Sequence, residues 1–165
     1  MAGGAFIAIP IGPIPIVLQN LFALLSGMIL GPVMGSAAVG LFLLAGILNF
    51  PVFSGGGGGL VRFAGPTGGY LIGYLLAAFI AGIISGRPRA GANTSLLRIA
   101  AATAAGLLIV YLPGVAWLKI SRNLSWTRAL FAGFAPYIVG DIFKGIAAVL
   151  IAPRLRRIAS DHLDK

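Results

Sequence analysis

No charged side chain occurs before Arg62. A chain that runs so far on apolar and small residues cannot cover itself with polar surface in water, so it must fold where hydrocarbon is the solvent. The composition agrees: of 165 residues, 59% are hydrophobic and 9% charged, and mean hydropathy is +1.03. At about 20 residues per crossing, this length permits about five or six transmembrane helices in one integral membrane domain, residues 1–165, with no room for a soluble catalytic domain. The apolar runs are continuous rather than alternating, which disfavours a β-barrel. The 25 glycines and 10 prolines fit membrane helices, where small residues allow close packing and prolines sit at span ends.

Breakers divide the chain into a short first segment, Met1–Ile9, and five fuller ones at about Val17–Gly31, Val33–Leu48, Gly68–Ser85, Ser95–Leu112 and Tyr137–Ala152. Nine residues of helix cover only about 14 Å against a hydrocarbon core of about 30 Å. The first helix is therefore expected to be truncated, and the functional protein to start upstream with about ten to twenty more apolar residues. With that helix completed, the expected fold is an all-α, polytopic six-helix bundle with both ends on one side. Arg87, Arg89, Arg98, Arg154, Arg156, Arg157 and Lys165 then share a face, against Arg62, Lys119, Arg122 and Arg128 on the other, which places the termini in the cytoplasm. The loops Pro10–Pro15, Asn49–Thr67 and Pro113–Pro136 all fall on the outer side, and Asp141 opens the last helix at that same mouth.

Several chemistries are excluded. Without cysteine there are no disulfides, thiolates or cysteine-bound metals. The net charge of +9 comes from short basic clusters between apolar runs, which read as topology signals and not as a nucleic-acid surface. The only histidine, His162, is in the polar tail, so no serine-protease triad can be written. No Gly-Lys dipeptide exists for a phosphate-binding loop, and no second intramembrane acid accompanies Asp141 for an aspartyl protease. Pro66-Thr67-Gly68-Gly69-Tyr70 starts a helix and lacks the closing glycine of a potassium filter. The expectation is a protein that is not an enzyme, with no catalytic residue, metal or cofactor.

Asp141 is the sole acid in the first 160 positions and lies in an apolar stretch, with Lys144 one helical turn on. A carboxylate at membrane depth costs several kcal/mol and by default marks a binding site or ion path. The competing accounts are a structural ion pair and a proton-coupled secondary transporter of a small carboxylate or vitamin that titrates Asp141. Five successive glycines, Gly55–Gly59, are flanked by Phe50, Val52, Phe53, Leu60 and Phe63. Apolar flanks suit a lid packed closely on its neighbours better than a spacer. Amphipathic Ser125–Phe134 is expected to form a short helix at the outer interface.

The combination of Pro13-Ile14-Pro15-Ile16-Val17-Leu18-Gln19, Pro51-Val52-Phe53 leading to polyglycine, Gly65-Pro66-Thr67-Gly68-Gly69-Tyr70-Leu71 and Gly140-Asp141-Ile142-Phe143-Lys144 resembles the biotin-specific S component of energy-coupling factor transporters, the BioY family. Tyr111, Gly114 and Trp117 also fall where that family has them, and the resemblance runs from Ala5 to about Ala152. It implies a multi-pass subunit in the plasma membrane of a prokaryote that binds biotin with high affinity at the outer side. Its implied partners are a transmembrane T subunit and two ATPases. Asp141 and Lys144 would be the polar pair facing biotin, while Gln19 and the Gly65–Tyr70 strip, with Thr67 and Tyr70, would shape or close the pocket. Arg62 would meet the carboxylate. The family's first helix carries a small-xxx-small seam toward the T subunit, of which Gly4 and Ala8 remain here. The chemistry fits: Asp141 can accept from ureido N–H groups, Lys144 can donate to an oxygen, and aromatic rings can cover the thiophane. Which end of biotin each charge meets stays open.

Overall fold

The computed structural model describes residues 1–6, 8–11, 14–88 and 95–163. Two short pieces open the chain: helix α1 (Ala2–Phe6) and a hairpin of β1 (Ala8–Ile11) with β2 (Ile14–Val17), in the register Ile9↔Ile16 and Pro10↔Pro15. Helices α2 (Gln19–Ile47), α3 (Leu60–Ala64), α4 (Gly68–Ser85), α5 (Leu96–Ser121), α6 (Trp126–Gly133) and α7 (Ile138–Leu163) follow. The architecture is helical and polytopic, as expected. The hairpin is an addition: the Pro10–Pro15 region pairs as a two-stranded ribbon, where a proline can turn its nitrogen to the free edge. Of the expected features, Gly12 and Pro13 of that loop, Arg89 to Asn93 of the inner connector, and Lys165 lie outside the described residues.

Helix α2 is two limbs. Gly31, at φ 81° and ψ 176°, breaks it just before Pro32. In an uninterrupted helix, Gly27 and Gly35 would stand about 12 Å apart along the axis. Instead a Cβ on Gly35 would lie 2.6 Å from the Gly27 Cα, so the second limb folds back onto the first. The break thus separates the two segments read from the sequence, Val17–Gly31 and Val33–Leu48.

Close approach through small residues then assembles the bundle. A Cβ on Gly27 would meet the Ala78 carbonyl oxygen at 1.9 Å, and one on Gly73 the Val110 carbonyl oxygen at 2.7 Å, which locks α4 between α2 and α5. The core gathers there, with Leu24, Met28, Val39, Ala77, Ala78, Ala81, Ile99 and Ala102 fully shielded. Large apolar side chains such as Leu41, Leu44, Ile83, Leu108, Phe143 and Leu150 point outward, the arrangement lipid requires.

Two expected boundaries move. The apolar runs place the ends of α5 at Leu112 and of α7 near Ala152, yet α5 continues through Pro113 to Ser121 and α7 through Pro153 to Leu163. Each helix accommodates its proline at the loss of one backbone hydrogen bond and does not stop there. The expected outer loop Pro113–Pro136 accordingly shrinks to residues 122–125, helix α6 and a single turn before α7. The short helix expected within Ser125–Phe134 forms, with the Ser125 hydroxyl accepting from the Arg128 N–H at its start.

Candidate ligand-binding site

Asp141 stands in the first turn of α7, where the helix dipole favours a carboxylate, and Lys144 follows one turn later. Lys144 Nζ donates to Asp141 Oδ1 at 2.7 Å, and the two residues are 8% and 6% exposed. The second residue of α2 completes the pair. Asn20 Nδ2 donates to the same Oδ1 at 2.9 Å, and its Oδ1 accepts from Lys144 Nζ at 3.1 Å and from the Leu21 N–H at 3.0 Å. From α5, the Tyr111 hydroxyl donates to Asp141 Oδ2. Three elements therefore converge on one neutral, hydrogen-bonded cluster, the condition under which buried charges are tolerable. Among the described residues, no buried side-chain nitrogen or oxygen lacks a partner.

A second group of expected residues meets beside this cluster. Gln19, Thr67 and Tyr70 line a cavity of about 20 Å³ together with Val17, Phe53, Ser54, Leu71 and the buried Tyr74. Gln19 Nε2 donates to the Val52 carbonyl at 3.1 Å, fastening the glycine-rich connector to the start of α2. Phe53 is almost fully buried: it fills the space left by Gly46, where a Cβ would lie 2.0 Å from its ring, and meets Phe42 and Phe63 edge-on at 5.7 and 5.8 Å. The glycines that follow are packed: Gly59 N–H donates to the Gly46 carbonyl at 2.7 Å, and a Cβ on Gly58 would meet the Phe50 carbonyl oxygen at 2.5 Å. Tyr70 joins the two groups, its hydroxyl donating to the Gly133 carbonyl at 2.8 Å and its ring standing edge-on to Tyr111 at 6.3 Å. Phe134 also meets Tyr111 edge-on, at 4.7 Å. Trp117 Nε1 donates to the Gly65 carbonyl at 2.9 Å, which fixes the start of the Gly65–Tyr70 strip.

Arg62 is not brought to the pair. It is exposed, and its guanidinium folds over Gly57 in the connector. Conversely, Asn20 was not among the expected site residues, although a carboxamide beside Gln19 at the head of an apolar helix carries the same signal as Asp141, a polar group where lipid penalises one. Tyr111 stood out only as a family position, not as a partner of the carboxylate. On the far side of the pair, a cavity of about 520 Å³ runs between α5 and α7, walled by Ala104, Leu108, Tyr111, Asp141, Ile146 and Leu150 among others. No cluster of three metal-binding side chains occurs among the described residues.

Known proteins resemble this chain in sequence and fold. The chain is 41% identical over 153 residues to the probable biotin transporter BioY of Pyrococcus horikoshii, covering 93% of this chain and 87% of that one. It is 38% identical over 155 residues to the biotin transporter BioY of Thermotoga maritima, covering 94% and 88%. The fold matches the crystal structure of the S-component for biotin from an ECF-type ABC transporter with a TM-score of 0.82 and 32% identity, over 94% of this chain and 84% of that one. The BioY family model matches residues 1–161, and the chain belongs to the BioY family.

Proposed function

We infer that this chain is the biotin-capturing S subunit of an energy-coupling factor transporter and mediates biotin uptake. The observation that carries the reading is the buried Asp141–Lys144–Asn20–Tyr111 cluster lying next to a cavity roofed by the connector. Each member can exchange one internal hydrogen bond for one to a ligand. A cyclic urea supplies two N–H donors for Asp141 and a carbonyl for Lys144 or Asn20, while Tyr70, Tyr74, Tyr111 and Phe53 offer aromatic faces to an apolar ring. A cavity of about 20 Å³ is far smaller than a drug-sized ligand needs, so capture requires the Val52–Gly59 segment to lift and Phe53 to withdraw.

The subunit performs no covalent chemistry. Energy comes from a transmembrane T subunit and two ATPases, the partners that likeness to the S-component of an ECF-type ABC transporter implies. It resides in the plasma membrane of a prokaryote, with its C-terminal end and Arg87, Arg154 and Arg157 on the cytoplasmic side and the Asp141 end outside. Isothermal titration of the purified protein with biotin tests the reading. Saturable one-to-one binding that desthiobiotin competes for, and that a urea-free carboxylate of equal length does not, is expected. Absence of binding by a folded protein would overturn it.

A further inference from the structure

The cavity between α5 and α7 extends well beyond the polar pair. From Ala100 to Tyr111 its α5 wall is about 17 Å long, close to one leaflet's half of the hydrocarbon core of about 30 Å. Below Tyr111 and Asp141 its walls are carbon: Leu107 and Leu108 on α5 face Ile142, Ile146, Val149 and Leu150 on α7. The one polar side chain along that stretch, Thr103, donates its hydroxyl back to the Ile99 carbonyl at 2.9 Å and turns its methyl toward Gly145. Nothing along this length could satisfy a urea or a carboxylate, so its occupant is hydrocarbon.

The deep end carries charge. Arg154 and Arg157 follow Leu150 by four and seven residues, spacings that continue the groove-facing side of α7, and both are exposed. They stand one and two turns past the last carbon wall, at the depth where a phosphate would lie if an acyl chain filled the groove.

We propose that the α5–α7 groove is a binding site for one anionic phospholipid of the adjacent leaflet, with an acyl chain between Ala104 and Ile146 and the phosphate at Arg154 and Arg157. The groove ends on Asp141 and Tyr111, so a seated chain would close the lipid-facing flank of the ligand cluster. The site is independent of which vitamin is captured.

Native mass spectrometry of the purified full chain in mild detergent tests this, with dioleoyl phosphatidylglycerol, dioleoyl phosphatidylcholine and inorganic phosphate as separate probes. Two arginines at an anionic headgroup predict one phosphatidylglycerol held roughly thirtyfold more tightly than phosphatidylcholine. Inorganic phosphate should not bind, since the acyl chain is needed. Ala104 is exposed to the groove, so Ala104→Phe fills it without entering the core and should abolish the tight adduct. Arg154→Gln with Arg157→Gln, both at exposed positions, should reduce phosphatidylglycerol to the phosphatidylcholine level while biotin binding persists. Equal retention of the two lipids by the natural chain, phosphate binding alone, or a tight adduct surviving in either variant would each overturn the proposal.

Discussion

Asn20 and Asp141 lie 121 positions apart in sequence, yet Asn20 Nδ2 stands 2.9 Å from Asp141 Oδ1. This bond ties the first turn of α2 to the first turn of α7. Because Gln19 next door holds the Val52 carbonyl, the roof over the small cavity and the charges beneath it are anchored on consecutive residues.

Replacing Asn20 by Leu removes one donor from Asp141 and one acceptor from Lys144. Expected are a loss of about 1 to 3 kcal/mol in stability, typical of leaving buried partners unsatisfied, and weaker biotin binding. Thermal unfolding in detergent and calorimetry on the same sample measure both. An unchanged melting temperature would mean that Asn20 does not support the pair.

For the charged pair itself, Asp141→Asn and Lys144→Ala should each weaken biotin binding by about 1.5 to 3 kcal/mol with the fold retained. The double variant should lose less than the sum, since the two act on each other. If both singles bind biotin normally and only melt earlier, the pair is structural.

Gly46 makes room for Phe53. Gly46→Ala places a methyl inside the ring's position and should expel the ring, accelerating biotin entry and exit in stopped-flow measurements at a stability cost of about 1 to 3 kcal/mol. A companion measurement is hydrogen exchange over Gly55–Gly59, which should slow when biotin is added. Exchange that ignores biotin would argue that this segment is fixed and that the ligand enters elsewhere.

At the opposite pole, Arg156 is buried and donates to the carbonyls of Met28, Gly86 and Ser85, the latter two at 3.0 and 3.1 Å. It closes the ends of two helices at once. Arg156→Leu should destabilise the bundle by about 3 kcal/mol or more, and Arg156→Lys should restore only part, because an ammonium cannot reproduce the planar fork. Biotin affinity measured well below the melting point should be nearly unchanged in both.

Much of this fold is legible in the sequence. Hydrophobic runs located every long helical limb, including the division of α2 at Gly31–Pro32, because lipid enforces the pattern without competition from polar surface. Asp141 and Lys144 could be read from their rarity. The reach of α5 and α7 could not, since Pro113 and Pro153 look like ends, yet a proline costs a helix one hydrogen bond without obliging it to stop. Asn20, Tyr111 and Phe53 act through contacts with distant segments, and an uncharged side chain in an apolar run does not announce which helix it will meet. Arg62 is a different case: its charge is visible in the sequence, but its direction depends on how the glycines beside it fold.

The capping role of Arg156 also bears on how such a chain is made. Its partners precede it by 128 residues at Met28 and by 71 at Ser85. As the polypeptide enters the bilayer from its N-terminus, those two helices are made long before the side chain that bonds their terminal carbonyls. They wait for almost the whole remaining chain to emerge. The bundle therefore closes like a knot drawn by its last strand: no truncated nascent chain that stops short of Arg156 can hold those two ends as the finished protein does.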